Sequence, residues 1–232
     1  MRARFVPAWA KLGLLVIVSG AWAQSTGTAA PQPIETVKKL AVSGDAFGQN
    51  LLGWSYAYGQ GVPQDNTQAV IWWRKAADQG LAAAQSSLGY AYATGRGVPQ
   101  DYAQAAAWYR KAADQGDKNA QFSLCQMYDA GQGVPKNYDQ ATTWCLKAGD
   151  QGHVLALYNL GARYFQGEGL PQNYAEAYFW WCLAAAKDPL FSENRDKAAS
   201  HLTPADLSRV QERARKWFED HAAKTDAKGQ AR

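Results

Sequence analysis

Few residues in this chain are of types that could do chemistry, and their spacing organises little of it. The three histidines, His153, His201 and His221, are far apart, and none has a second His or a Cys at metal-ligand spacing. The Gly-x-Gly turns at Gly59, Gly95, Gly131 and Gly167 superficially suggest a phosphate loop. A dinucleotide fingerprint needs a preceding strand and a third Gly, and a P-loop needs Gly-Lys-Ser/Thr, whereas here Val-Pro or Leu-Pro follows. Gly53-Trp54-Ser55-Tyr56-Ala57 is a weak likeness of a nucleophile elbow, but it falls inside a helical pattern rather than at a strand-to-helix turn. No catalytic residue, metal ligand or cofactor site is therefore expected. The cysteines carry more information, because an exported chain can keep disulfides. Cys125 and Cys145 fall on two antiparallel helices and are expected to pair, which leaves Cys182 as a free thiol. Cys145–Cys182 is the competing pair, and three free thiols are the remaining alternative.

The elements that carry these residues follow from a repeat. Gly59–Asp65, Gly95–Asp101, Gly131–Asn137 and Gly167–Asn173 are four copies of one heptapeptide, 36 residues apart. A fixed period of this size marks a stacked array in which each unit buries its apolar face on the next. Leu52/Tyr56, Leu88/Tyr92, Leu124/Tyr128 and Leu160/Tyr164 lie four apart and share one face of a first helix. The Gly caps that helix, and Pro63, Pro99, Pro135 or Pro171 prevents its continuation. Asp65, Asp101, Asn137 and Asn173 are N-cap residues for a second helix, with Gln68, Gln104, Gln140 or Glu176 three residues later.

The sequence divides accordingly. Residues 1–23 read as a secretory signal peptide: Arg2, Arg4 and Lys11, a short apolar run at Leu12–Val18, then Ala21-Trp22-Ala23. The run is short for a membrane span, and no Cys follows the cut to accept a lipid. Residues 24–33 form a Ser/Thr/Ala/Pro-rich leader and 34–44 a half-repeat. Repeats then occupy 45–80, 81–116, 117–152 and 153–188. Residues 189–221 form a helical cap beginning its main helix at Thr203-Pro204-Ala205-Asp206, and 222–232 a disordered tail. The full chain carries a net charge of +4. Without the three signal-peptide cations, 21 basic side chains oppose 20 acidic ones. A near-neutral chain has no electrostatic footprint for nucleic acid.

Leu-Gly-x-x-Tyr, Gly-x-Gly-Val-Pro-x-Asp, Ala-x-x-Trp-Tyr-x-Lys-Ala-Ala and Gln-Gly, shown almost completely by Leu88–Gly116, resemble the Sel-one-like repeat (SLR) family. The departures are Cys125 for a Gly, Cys145 for an aromatic residue and the Gly missing after Lys187. The resemblance implies an all-α, right-handed α/α superhelical solenoid of about four repeats, monomeric and acting as a scaffold for a protein or peptide. With the signal peptide it implies a periplasmic or secreted protein with no membrane span after cleavage. In such stacks the first helices line the concave face. Asn50, Trp54, Tyr58, Ser86, Tyr90, Phe122, Gln126, Tyr158 and Phe165 lie there, away from the Leu/Tyr core face, and are the expected peptide-binding positions. The alternative is that several pack between repeats. Cysteine-containing members that bind or slowly hydrolyse β-lactams give a second functional expectation, although their cysteine spacing is absent here. An envelope regulator or inhibitor is a third.

Overall fold

A computed structural model describes the backbone of residues 33–230 and the side chains of residues 33–221. The signal-peptide and leader expectations lie outside the described residues, save Pro33. Among the described residues there are eleven α-helices, one 3-10 turn and no strand. A lone helix α1 (Ile34–Val42) precedes four hairpins. These are α2 (Ala46–Tyr58) with α3 (Asn66–Asp78), α4 (Ala82–Thr94) with α5 (Tyr102–Asp114), α6 (Lys118–Ala130) with α7 (Tyr138–Asp150), and α8 (Val154–Gln166) with α9 (Tyr174–Lys187). A 3-10 turn (Pro189–Phe191), α10 (Ser192–Ala199) and α11 (Pro204–Gln230) complete the chain.

Each helix begins and ends where local chemistry requires it. Asp65, Asp101, Asn137 and Asn173 accept backbone N–H bonds at the starts of α3, α5, α7 and α9. Gly59, Gly95, Gly131 and Gly167 end the first helices in the left-handed conformation, with φ of 68–73°. The second Gly of each turn is left-handed as well, and in two of the turns it has a further cause. A Cβ on Gly97 would stand 2.2 Å from Asn66 O, and one on Gly133 2.1 Å from Tyr102 O. The inter-helix loop of one repeat thus rests on the start of the preceding repeat's second helix, and only Gly allows that approach.

The core is a column of rings and small residues. Trp73, Trp108, Trp144, Trp180 and Trp181 are buried on the second helices, and Leu52, Leu88, Leu124 and Leu160 on the first. Within three hairpins a ring lies directly on a helix backbone. An ideal Cβ at Gly53, Gly89 or Gly161 would come within 2.4–2.6 Å of Trp73, Tyr109 or Trp181, respectively. Repeat three has Cys125 and Cys145 at these two positions. Their Cα atoms are 5.3 Å apart and the sulfurs are bonded. The two departures at these positions thus form a single exchange, ring-on-glycine for a covalent link. Cys182 is a free, half-buried thiol, pushed above its ordinary pKa by burial.

One expectation is corrected. The tail from 222 onwards does not leave the helix: α11 runs unbroken to Gln230. Residues 222–230 are three Ala, two Lys, Gln, Thr, Asp and a single Gly next to the end, with no Pro, so no residue there breaks the helix begun at Pro204. The cap is held on the stack by Arg213, which pairs with Glu176 and lies over the Phe179 ring at 3.9 Å. Trp217 stacks on His221 at 3.6 Å.

Candidate protein-binding face

The nine positions expected on the inner face divide into three groups. Trp54, Tyr58, Ser86, Tyr90 and Gln126, on α2, α4 and α6, retain exposure. Trp54 and Tyr58 stack one helical turn apart, with centroids 5.4 Å apart and planes parallel within 1°. The other edge of Trp54 meets Trp73 at 5.2 Å. Arg96, in the following loop, donates from Nη1 to Tyr90 Oη at 3.2 Å. Burial raises the Tyr58 phenol above its ordinary pKa, Tyr90 adds to the rise and Arg96 opposes it. Burial pushes up the pKa of the Asp117 carboxyl, and the nearby Ser86 side chain opposes the rise.

Two positions are interior, contrary to the expectation of a free surface. Phe122 is 6% exposed, stacked against His153 at 4.5 Å. Asn50 is also 6% exposed, and its Oδ1 has no hydrogen-bond partner. For Phe122 the reason lies in the following repeat, whose first helix brings its N-cap residue, His153, over this position. His153 caps α8 by accepting from Ala156 N. Burial and nearby Lys118 lower its pKa to about 4, so it is a neutral capping acceptor rather than a cation.

Tyr158 and Phe165 form the third group, covered by the cap. Tyr158 packs on Phe191 at 4.9 Å, and its carbonyl accepts from Trp181 Nε1 at 3.0 Å. Phe165 contacts Trp181, Tyr174 and His201 at 5.2–5.6 Å, with Lys197 Nζ above its ring. Both stay half-buried, packed on the second helix of their own repeat and on the cap rather than between repeats.

Two features that the sequence reading passed over hold the face rigid. Gln79, Gln115 and Gln151 each donate to Gln49, Gln85 and Gln121 of the same repeat at 2.8 Å. The acceptors donate onward to Ala41 O, Ala77 O and Ala113 O of the preceding unit. Both sets recur every 36 residues, so their period was visible in the sequence, although glutamines in a helical pattern read as solvated. Arg163, buried on α8, pairs with Asp129 and donates to Thr142 Oγ1. Neither partner recurs between copies, so no periodic signal marked that pair.

Among the described residues, no group of three His, Cys, Asp or Glu could hold a metal ion. Among the same described residues, no helix is long and apolar enough to cross a membrane. The helix-loop-helix stack and its polar–aromatic inner row define a helical-repeat protein of the kind that displays a surface. The Sel1 repeat family matches residues 46–81, 82–117, 118–153 and 154–189, and a fifth segment, 198–219, inside the cap. The chain belongs to the Sel1 repeat family, whose members are in general protein-interaction scaffolds. It is similar to a solved SLR-fold protective antigen of uropathogenic Escherichia coli, at 34% identity over 85% of this chain and with a TM-score of 0.75. It spans 43% of that protein's length. A Sel1 repeat protein from Oxalobacter formigenes is 30% identical, with 82% of this chain and 79% of that one covered and a TM-score of 0.67. No curated protein matches.

Proposed function

We propose that this protein is a non-catalytic scaffold of the cell envelope or extracellular space. It grips a protein segment on the first helices of repeats one to three. The observation that carries this is the division of the inner row. At the C-terminal end the half-buried Tyr158 and Phe165 are faced by rings of the cap, whereas Tyr58 and Gln126 are exposed and Trp54 and Tyr90 half-buried on helices pinned by the Gln bonds. A rigid aromatic surface loses little entropy on binding, so its contacts contribute to affinity. The envelope assignment rests on the signal-peptide pattern at residues 1–23.

Photo-crosslinking in the native cell tests the reading. A photoreactive residue at Tyr58 or Gln126 is expected to trap one discrete protein. The same residue at Ile71 or Tyr138, exposed on second helices, is expected to trap none. Equal labelling from all four positions would contradict the reading.

A further inference from the structure

Deepening the proposed scaffold role, on which it rests, we infer that the open face is a carboxylate site with an aromatic shelf. Arg96, Tyr90 and Tyr58 would take an aspartate, glutamate or C-terminal carboxylate of a bound peptide, while Trp54 and Tyr58 seat the neighbouring apolar side chain. The argument starts from hydrogen-bond inventory. Tyr90 Oη accepts from Arg96 Nη1, so its own proton is left to donate outward. Arg96 carries five N–H donors, and among the described residues no carboxylate pairs with it. The Tyr58 hydroxyl lies in the same neighbourhood, close enough for Tyr90 and Arg96 to influence its ionisation. The locus thus converges donors without an anionic acceptor.

Charge complementarity selects the occupant. The helices α2 and α4 that form the shelf carry no charged residue in their entire length. Arg96 is therefore a cation at the edge of an uncharged aromatic strip. A planar guanidinium flanked by a phenol matches the planar, two-oxygen acceptor of a carboxylate. The parallel Trp54–Tyr58 rings offer flat apolar area immediately along the helix. A ligand with an apolar side chain and an acid a few residues apart satisfies both.

The probe is a displayed library of random heptapeptides, built with free C-termini in one arm and with amidated synthetic versions of the selected sequences in the other, against the full chain. Selected peptides are expected to share an aromatic or branched apolar residue near an Asp, a Glu or the terminal carboxylate. Replacing that acid by its amide is expected to weaken binding tenfold or more, as is Arg96→Gln. The two changes together are expected to cost little more than either alone. Arg96→Lys retains charge but loses the fork, and falls between. Which amide substitution matters, side-chain or terminal, identifies the source of the carboxylate. Peptides that bind equally well as amides and to Arg96→Gln, yet lose affinity with Tyr58→Ala, overturn the carboxylate site and leave the scaffold reading intact. A library that yields no binder overturns this inference, and the scaffold reading is then judged on the crosslinking map alone.

Discussion

The inner row of repeats one and two and that of repeat four occupy the same helical positions and meet opposite fates. Trp54 and Tyr90 face partly outward, with a loop arginine beside them. Tyr158 and Phe165 are roofed by the 3-10 turn and by His201. Near the junction, repeat three buries Phe122 under His153 and holds its two helices by the Cys125–Cys145 link. The contrast shows how a repeat protein acquires a site from copies of one unit. Where a neighbour or cap covers a position, an aromatic there contributes to stability. Where none does, the same kind of residue is left for a partner.

Mutations should therefore separate stability from binding by region. The largest effect is expected at the junction. The linked cysteines are 20 residues apart, and opening the link should cost about 3 kcal/mol by loop entropy. A denaturant titration with and without reductant measures it, and a thiol count before reduction should find Cys182 alone. Next comes the closed end. Phe165→Ala should destabilise by about 2–3 kcal/mol, at or below the usual range for a core Phe because Phe165 is only half-buried, and should leave partner binding unchanged. A large binding loss with normal stability would erase the distinction between the two regions.

Acid should act through His153. Its folded pKa, about 4, lies below the ordinary 6.5, so the unfolded chain takes up the proton first. Stability is unaffected above pH 6.5 and falls as pH drops from 6.5 towards 4, by on the order of 1–3 kcal/mol. His153→Asn keeps an N-cap acceptor and should flatten that fall, as melting curves across this window would show. The smallest stability effect is expected at the open end, where Tyr58→Ala should change unfolding free energy by less than about 0.5 kcal/mol while crosslinking to the partner is lost.

The stack itself was legible because its causes are local and repeated. Caps at Asp65, Asp101, Asn137 and Asn173, the Gly turns and the Leu/Tyr spacing recur at one period, and the helices form where that period places them. The fate of the inner row was less legible, because it is decided by residues about 30 positions further on. Phe122 is covered because His153 caps the next helix, and Ser86 is engaged because Asp117 does. Asn50 faces no such partner, since Leu81 holds the corresponding cap position and its side chain offers no hydrogen bond. A single helix read in isolation contains none of this. The helix beyond His221 was missed for a different reason: charged, apolar-poor sequence was read as irregular, although its residue types permit helix.

Hydrogen exchange along the full chain, with and without the partner segment trapped at Tyr58, tests the central claim most directly. Division of the inner row predicts added protection in α2, α4 and α6, with α8 and α10 unchanged. Protection centred on α8 and the cap, or spread evenly over the second helices, would contradict it.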